Sequence, residues 1–119
     1  VNDNAKIWVN LLRSKEYFQT HGRLSSTGHI LHYPLYCCLG VACVAYEQSE
    51  GTIDPSWKND TILPIQVRKW LNLKSPLGSY EDSFGNNTSL VQDNDLYMKD
   101  FNKIAAIIES EPQGLFEDS

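Results

Sequence analysis

The sequence is short of basic residues: ten Lys and Arg stand against fifteen Asp and Glu in 119 residues, a formal charge of −5. Nucleic acid is therefore not an expected partner, because phosphate binding needs clustered cations that are absent here. No apolar run approaches the ~18 residues of a membrane-crossing helix, so no membrane association is expected either. The start, Val1-Asn2-Asp3-Asn4, lacks the basic and apolar regions of a signal peptide. Cysteine is scarce and odd in number, with Cys37 and Cys38 adjacent and Cys43 apart, which makes a poor disulfide framework. Reduced thiols in a cytoplasm are the simpler reading, and the sequons at Asn59, Asn86 and Asn87 then carry no weight. Repeats and low-complexity segments are also missing. What remains, 41% apolar and 21% charged residues, is an ordinary globular composition. It suffices for a single domain over residues 1–119 that buries roughly two thirds of its unfolded surface.

What is present is organised around Leu35-Tyr36-Cys37-Cys38-Leu39-Gly40-Val41-Ala42-Cys43-Val44-Ala45-Tyr46, the longest nearly uncharged run, which holds all three cysteines. A run with no polar face requires burial on every side. It reads as a helix from near Cys37 to Tyr46 or Gln48, stopping before Ser49-Glu50-Gly51. Gly40 inside it costs about 1 kcal/mol relative to alanine in an exposed helix. A buried helix accommodates that where another backbone approaches closely.

Around this run the spacing predicts a first helix from about Asn4 to Glu16, with Ile7, Trp8, Leu11 and Leu12 as its stripe and Asp3 or Asn4 as cap. Two short antiparallel strands follow, near Arg23–Ser25 and His29–Leu31, with Pro34 ending the ribbon. Ile62-Leu63-Pro64 opens a third helix that turns Val67, Trp70 and Leu71 inward. Lys74 to Asn87 reads as a long surface loop. Leu90-Val91 is a short helical turn or an extended anchor. Phe101, Ile104, Ala105 and Ile108 then line one face of a last helix with Asp100 as cap, and Leu115-Phe116 tucks back as a tail. The expected fold is α+β: about four helices packed around the buried helix at 37–47, with a small antiparallel ribbon.

The chemistry has few places to sit. Adjacent cysteines in a first helical turn face free N–H groups and the positive end of the helix dipole, which favours a thiolate. His29, His32 or His21 would then serve as base, and Asp93, Asn94 or Asp95 as the orienting group. The competing reading is that free cysteine is a small apolar filler, and Cys43 shows the same helix using it so. A metal site is not expected, because the cysteines lack the Cys-x2-Cys spacing of a tetrahedral site. Asp93-Asn94-Asp95 offers two carboxylates and an amide for a cation or for ligand hydroxyls. It lacks the glycine and distal glutamate of a calcium loop, and a turn-setting role competes. Among the tryptophans, Trp8 and Trp70 fall on helix faces and read as core, whereas Trp57 in a polar loop is the better exposed anchor.

The ordered residues also resemble a family. A Trp-bearing first helix, Tyr17 and Gln19, Gly22-x-Leu24 and Tyr36-Cys37-Cys38-Leu39-Gly40-Val41 come first. Leu63-Pro64-x-x-Val67-x-x-Trp70-Leu71, Leu90, Asn94-Asp95 and Phe101-x-x-Ile104-Ala105-x-x-Ile108-Glu109 follow, and Ser110-Glu111-Pro112-x-Gly114-Leu115-Phe116 closes the set. This is similar to uncharacterised small proteins of tailed bacteriophages, marine and cyanobacterial types included, that carry a Cys-Cys-Leu-Gly-Val core. The resemblance covers nearly the whole chain. It implies a cytoplasmic protein of an infected bacterium and supplies no catalytic residues. Lys74–Asn87 and the Tyr97-Met98-Lys99 approach depart from the family pattern, which leaves the start of the last helix open.

Two functions follow. The first is a non-catalytic accessory module for a host bacterial protein or small-molecule ligand, needing no cofactor, with Gln19, Arg23, Asn94 and Asp95 as its polar pocket. The alternative is a cysteine-dependent hydrolase or transferase, with Cys37 or Cys38 as nucleophile and His29 or His32 as base.

Overall fold

The structure, a computed structural model, describes residues 1–27 and 34–117. Its first helix, α1 (Asp3–Arg13), starts one residue early because Asn2 is the cap, and ends three short of expectation, with Lys15 in a left-handed conformation just beyond Ser14. The Asn2 side chain accepts from the Ala5 N–H at 2.8 Å, satisfying a helix-end donor with no backbone partner. Ala5, Trp8, Val9 and Leu12 form the buried stripe. Ile7, expected in it, is 36% exposed; one residue of helical rotation, about 100°, carries it out.

Strands β1 (Phe18–Gln19), β2 (Ser25–Thr27) and β3 (Pro34–Tyr36) form one small sheet in the order β1-β3-β2. The β2–β3 pair is antiparallel and β1–β3 is parallel. The ribbon is therefore present, but Pro34 begins its strand instead of ending it, a first position where a missing N–H is tolerated. The strand expected at His29–Leu31 lies outside the described residues.

Helix α2 (Cys38–Glu50) is the buried post, with Cys38 through Cys43 and Ala45 all buried. Its N-cap is Cys37, whose Sγ accepts from the Gly40 N–H at 3.4 Å. Trp8 Nε1 donates to the Cys38 carbonyl at 2.8 Å, tying α1 to the first turn of α2. A Cβ at Gly40 would stand 1.9 Å from the Leu24 carbonyl oxygen, so the close backbone approach expected there is real.

A 3-10 helix, Pro55–Asn59, follows, capped by Asp54. It contradicts the exposed anchor expected at Trp57: this ring is 2% exposed and stacks on Tyr36 at 6.3 Å between centroids. Folding the polar loop back over the sheet removes about a full indole from water. Helix α3 (Ile65–Leu71) has Pro64 at its N-cap and buries Val67 and Leu71. Trp70 is only half-buried and meets Tyr46 edge-on at 5.5 Å.

The expected loop at 74–87 instead contains β4 (Ser79–Glu81), paired antiparallel with β5 (Asn87–Ser89). Asp82 builds the turn between them, its Oδ1 accepting from the Phe84 and Asn86 N–H groups at 2.9 Å each. Ser89 then caps α4 (Leu90–Asp95), accepting from the Gln92 N–H at 3.1 Å. Helix α5 (Phe101–Glu109) is capped by Asp100 and buries Phe101, Ile104, Ala105 and Ile108, as its spacing predicts. The tail does tuck back: Leu115 and Phe116 are buried, and Phe116 bridges to Leu73. The described residues thus form an α+β fold of five helices, four of them of seven residues or more, and two small sheets around one core.

Candidate functional site

Asn94 sits in the last turn of α4 and is fully buried. Its Oδ1 accepts from Gln19 Nε2 at 2.7 Å and from the Cys38 N–H at 3.1 Å. Its Nδ2 donates to the Thr20 carbonyl at 2.8 Å and to Asp95 Oδ1 at 2.7 Å. A primary amide has two donors and accepts at two lone pairs, so Asn94 is saturated. The Cys38 contact also satisfies one of the free N–H groups at the start of α2. Gln19 uses its second amide hydrogen on the Lys99 carbonyl at 2.8 Å. Three of the four residues assigned to a polar pocket, Gln19, Asn94 and Asp95, therefore meet, and they hold β1, α2 and α4 together. Arg23 is exposed and makes no hydrogen bond or ion pair among the described residues.

The thiols are equally committed. Cys37 is 5% exposed, and Cys38 and Cys43 are fully buried. Burial pushes the Cys37 thiol up to about 11, outweighing the Gly40 N–H that draws it down. Burial, reinforced by neighbouring Cys37, Asp95 and Asp93, raises Cys38 well above the ordinary range, and its Sγ donates to the Leu90 carbonyl at 3.6 Å. Desolvation of the anion thus beats the helix dipole at both positions. His21 is exposed, and the candidate bases His29 and His32 lie outside the described residues. Among the described residues, no three His, Cys, Asp or Glu side chains gather as metal ligands.

A second polar centre joins α4 to the hairpin. Asp93, 1% exposed, accepts from the Tyr80 hydroxyl and pairs with Lys99 Nζ at 3.2 Å. Burial first, then the Asp93 carboxylate, raises the Tyr80 phenol above its ordinary value. Lys99 N–H also donates to the Asp93 carbonyl at 2.9 Å. These bonds fix one wall of an open cleft of about 670 Å³ between β4–β5, α4 and the turn at 113–114. Leu77 and Val91 give it an apolar floor, and Glu81, Asn87, Gln92 and Gln113 form its polar rim. A neighbouring cleft of about 480 Å³ shares Tyr80, Glu81 and Gln113 with it and contains Lys99 and Asp82. Reading residues 74–87 as plain loop missed two of these rim residues, Glu81 and Asn87, and nothing local marked Gln92 or Gln113. The one local signal was the turn chemistry at Asp82 and Gly85, because the flanking strands Ser79–Glu81 and Asn87–Ser89 are each only three residues long.

The molecule is thus a small α+β domain whose central helix is clamped at its N-terminus by a saturated amide, with an open cleft on its hairpin side. The chain belongs to the domain family of unknown function DUF8296, whose model matches residues 2–112. No curated protein and no solved structure matches the chain.

Proposed function

We infer that the protein is a non-catalytic binding module, a small accessory protein of tailed-phage type acting on a host bacterial protein or a small-molecule ligand. The observation that carries this reading is the cleft of about 670 Å³, within the size range of ligand pockets. Its rim side chains have unused hydrogen-bonding capacity, whereas the Asn94 amide has none left. The phage setting is supported by the ordered resemblance around Cys37-Cys38-Leu39-Gly40-Val41. Three free cysteines support a reducing cytoplasm. No helix among the described residues is long and apolar enough to cross a membrane.

A cysteine-dependent hydrolase or transferase has less support. At neutral pH a thiol with a value near 11 is almost wholly protonated and a weak nucleophile.

Thermal-shift and amide-resolved NMR titrations against neutral, cationic and anionic metabolites test the binding reading, together with affinity capture from host extract. Shifts clustered on residues 77–92, or a captured partner displaced by substitutions there, are expected. If nothing binds in either format the reading fails. Iodoacetamide modification of the native protein at neutral pH, without denaturant, would reinstate the cysteine reading.

A further inference from the structure

We propose that the cleft of about 670 Å³ binds a neutral polyhydroxylated ligand of sugar size, a proposal that rests on the binding-module reading above. Three features of the cleft select this chemistry. Its charge comes first: among the described residues the only charged side chain lining it is Glu81, and no Lys, Arg or His contributes. Phosphorylated or carboxylated ligands would meet an unmatched carboxylate there. Lys99, which lines the adjoining cleft, is held by Asp93.

The second feature is the spare polar capacity of the rim. Glu81 makes no ion pair among the described residues. Gln92 uses its Oε1 to accept from Thr88 Oγ1 at 3.1 Å, which orients the amide and leaves both Nε2 hydrogens for a ligand. The Asn87 and Gln113 amides, both exposed, add further donors and acceptors. A carboxylate that accepts from two neighbouring hydroxyls, flanked by amides that both donate and accept, matches the hydrogen-bonding pattern of a vicinal diol.

The third feature is the floor. Leu77 is 38% exposed and Val91 half-buried, an apolar strip on which the C–H face of a pyranose ring can rest. The frame is also preorganised. Glu81 N–H donates to the Gln113 carbonyl at 2.8 Å, Leu90 N–H donates to the Gly78 carbonyl at 2.9 Å, and Tyr80 is fixed on Asp93. Binding then orders little backbone that is not already ordered.

Amide-resolved NMR titration with glucose, maltose, glucuronate and glucosamine tests the proposal. Glucose or maltose should shift amides of residues 77–81, 87–92 and 113–114 at millimolar concentration. Glucuronate should bind roughly fourfold more weakly than glucose, from repulsion by Glu81 at ~5 Å in a water-like dielectric. Glu81→Gln should weaken the neutral sugar roughly tenfold by removing charge-assisted hydrogen bonds. Gln113→Ala, also at an exposed position, should weaken it with the protein still folded by circular dichroism. Glucuronate binding more tightly than glucose overturns the proposal, and so does glucosamine binding much more than about fourfold more tightly, which is all that attraction by Glu81 at ~5 Å supplies. So does a Glu81→Gln variant that binds glucose unchanged. If no sugar shifts these amides but another metabolite or a captured partner binds, the sugar assignment falls and the binding-module reading stands. If nothing binds at all, both fall.

Discussion

Replacing Gly40 by alanine tests the central packing directly. The added Cβ would lie 1.9 Å from the Leu24 carbonyl oxygen, 2.9 Å from the Leu24 carbonyl carbon and 3.3 Å from Tyr36 Cβ. Two of these three neighbours are backbone atoms, so no side-chain rotation relieves the clash. The Leu24 segment must retreat, and that carbonyl accepts from the Cys37 N–H at 3.1 Å while the Leu24 N–H donates to Asp60 at 2.8 Å. Overpacking costs ~1–3 kcal/mol, and a stretched or orphaned buried N–H adds ~1–3 kcal/mol. The helical preference of alanine returns about 1 kcal/mol. The net expectation is destabilisation by about 1–5 kcal/mol, read as a fall in the urea midpoint of roughly 0.5–2.5 M at an unchanged slope of about 2 kcal/mol/M. Ser49→Ala, on the exposed end of the same helix, is the control and should move the midpoint little. A Gly40→Ala midpoint equal to or above wild type would refute the close approach of Leu24 to α2.

Asn94→Ala should cost about 2–4 kcal/mol in the same urea assay, because it strands the Cys38 N–H, the Thr20 carbonyl and the Gln19 amide together; a loss under about 1 kcal/mol would sink the clamp. Tyr80→Phe leaves the buried Asp93 carboxylate with Lys99 alone and should cost about 1.5–3 kcal/mol, measurable as a lowered melting temperature. The raised thiols predict alkaline lability. Cys37 titrates near 11 when folded against about 9 ordinarily, so between those values the unfolded chain holds fewer protons than the native one. Stability supplied by the protonated thiol is therefore complete below about pH 9 and is lost towards pH 11, at up to about 1.4 kcal/mol per pH unit. Urea midpoints that stay flat from neutral pH to pH 10.5 would contradict it.

Much of the frame was legible because local rules and tertiary need agree in it. In α5, Asp100 caps and Phe101, Ile104, Ala105 and Ile108 repeat at helical spacing, so the cap candidate and the buried face follow from the chain. Gly40 was legible for a related reason. Glycine inside an apolar helix is unfavourable unless something fills the missing Cβ, and the Leu24 carbonyl does. Trp57 was not legible. Its neighbours Pro55, Ser56, Lys58 and Asn59 are polar or turn-forming, and only the stacking on Tyr36, 21 positions earlier, puts it inside. The hairpin at 79–89 escaped because strands of three residues are too short for alternation to stand out from loop composition.

The candidate site divides along the same line. Charge, hydrophobic spacing and cap residues by themselves pointed to an acidic α+β domain built around the Cys37–Tyr46 run, since an unbroken apolar stretch must be buried. Whether a polar residue serves the fold or a ligand was decided only in three dimensions. Asn94 and Gln92 are both amide-region residues of one short helix, two positions apart. Asn94 meets partners from positions 19, 20, 38 and 95 and is saturated, whereas Gln92 is exposed at a cleft. Spare hydrogen-bonding capacity depends on distant segments of chain, and no local pattern encodes it.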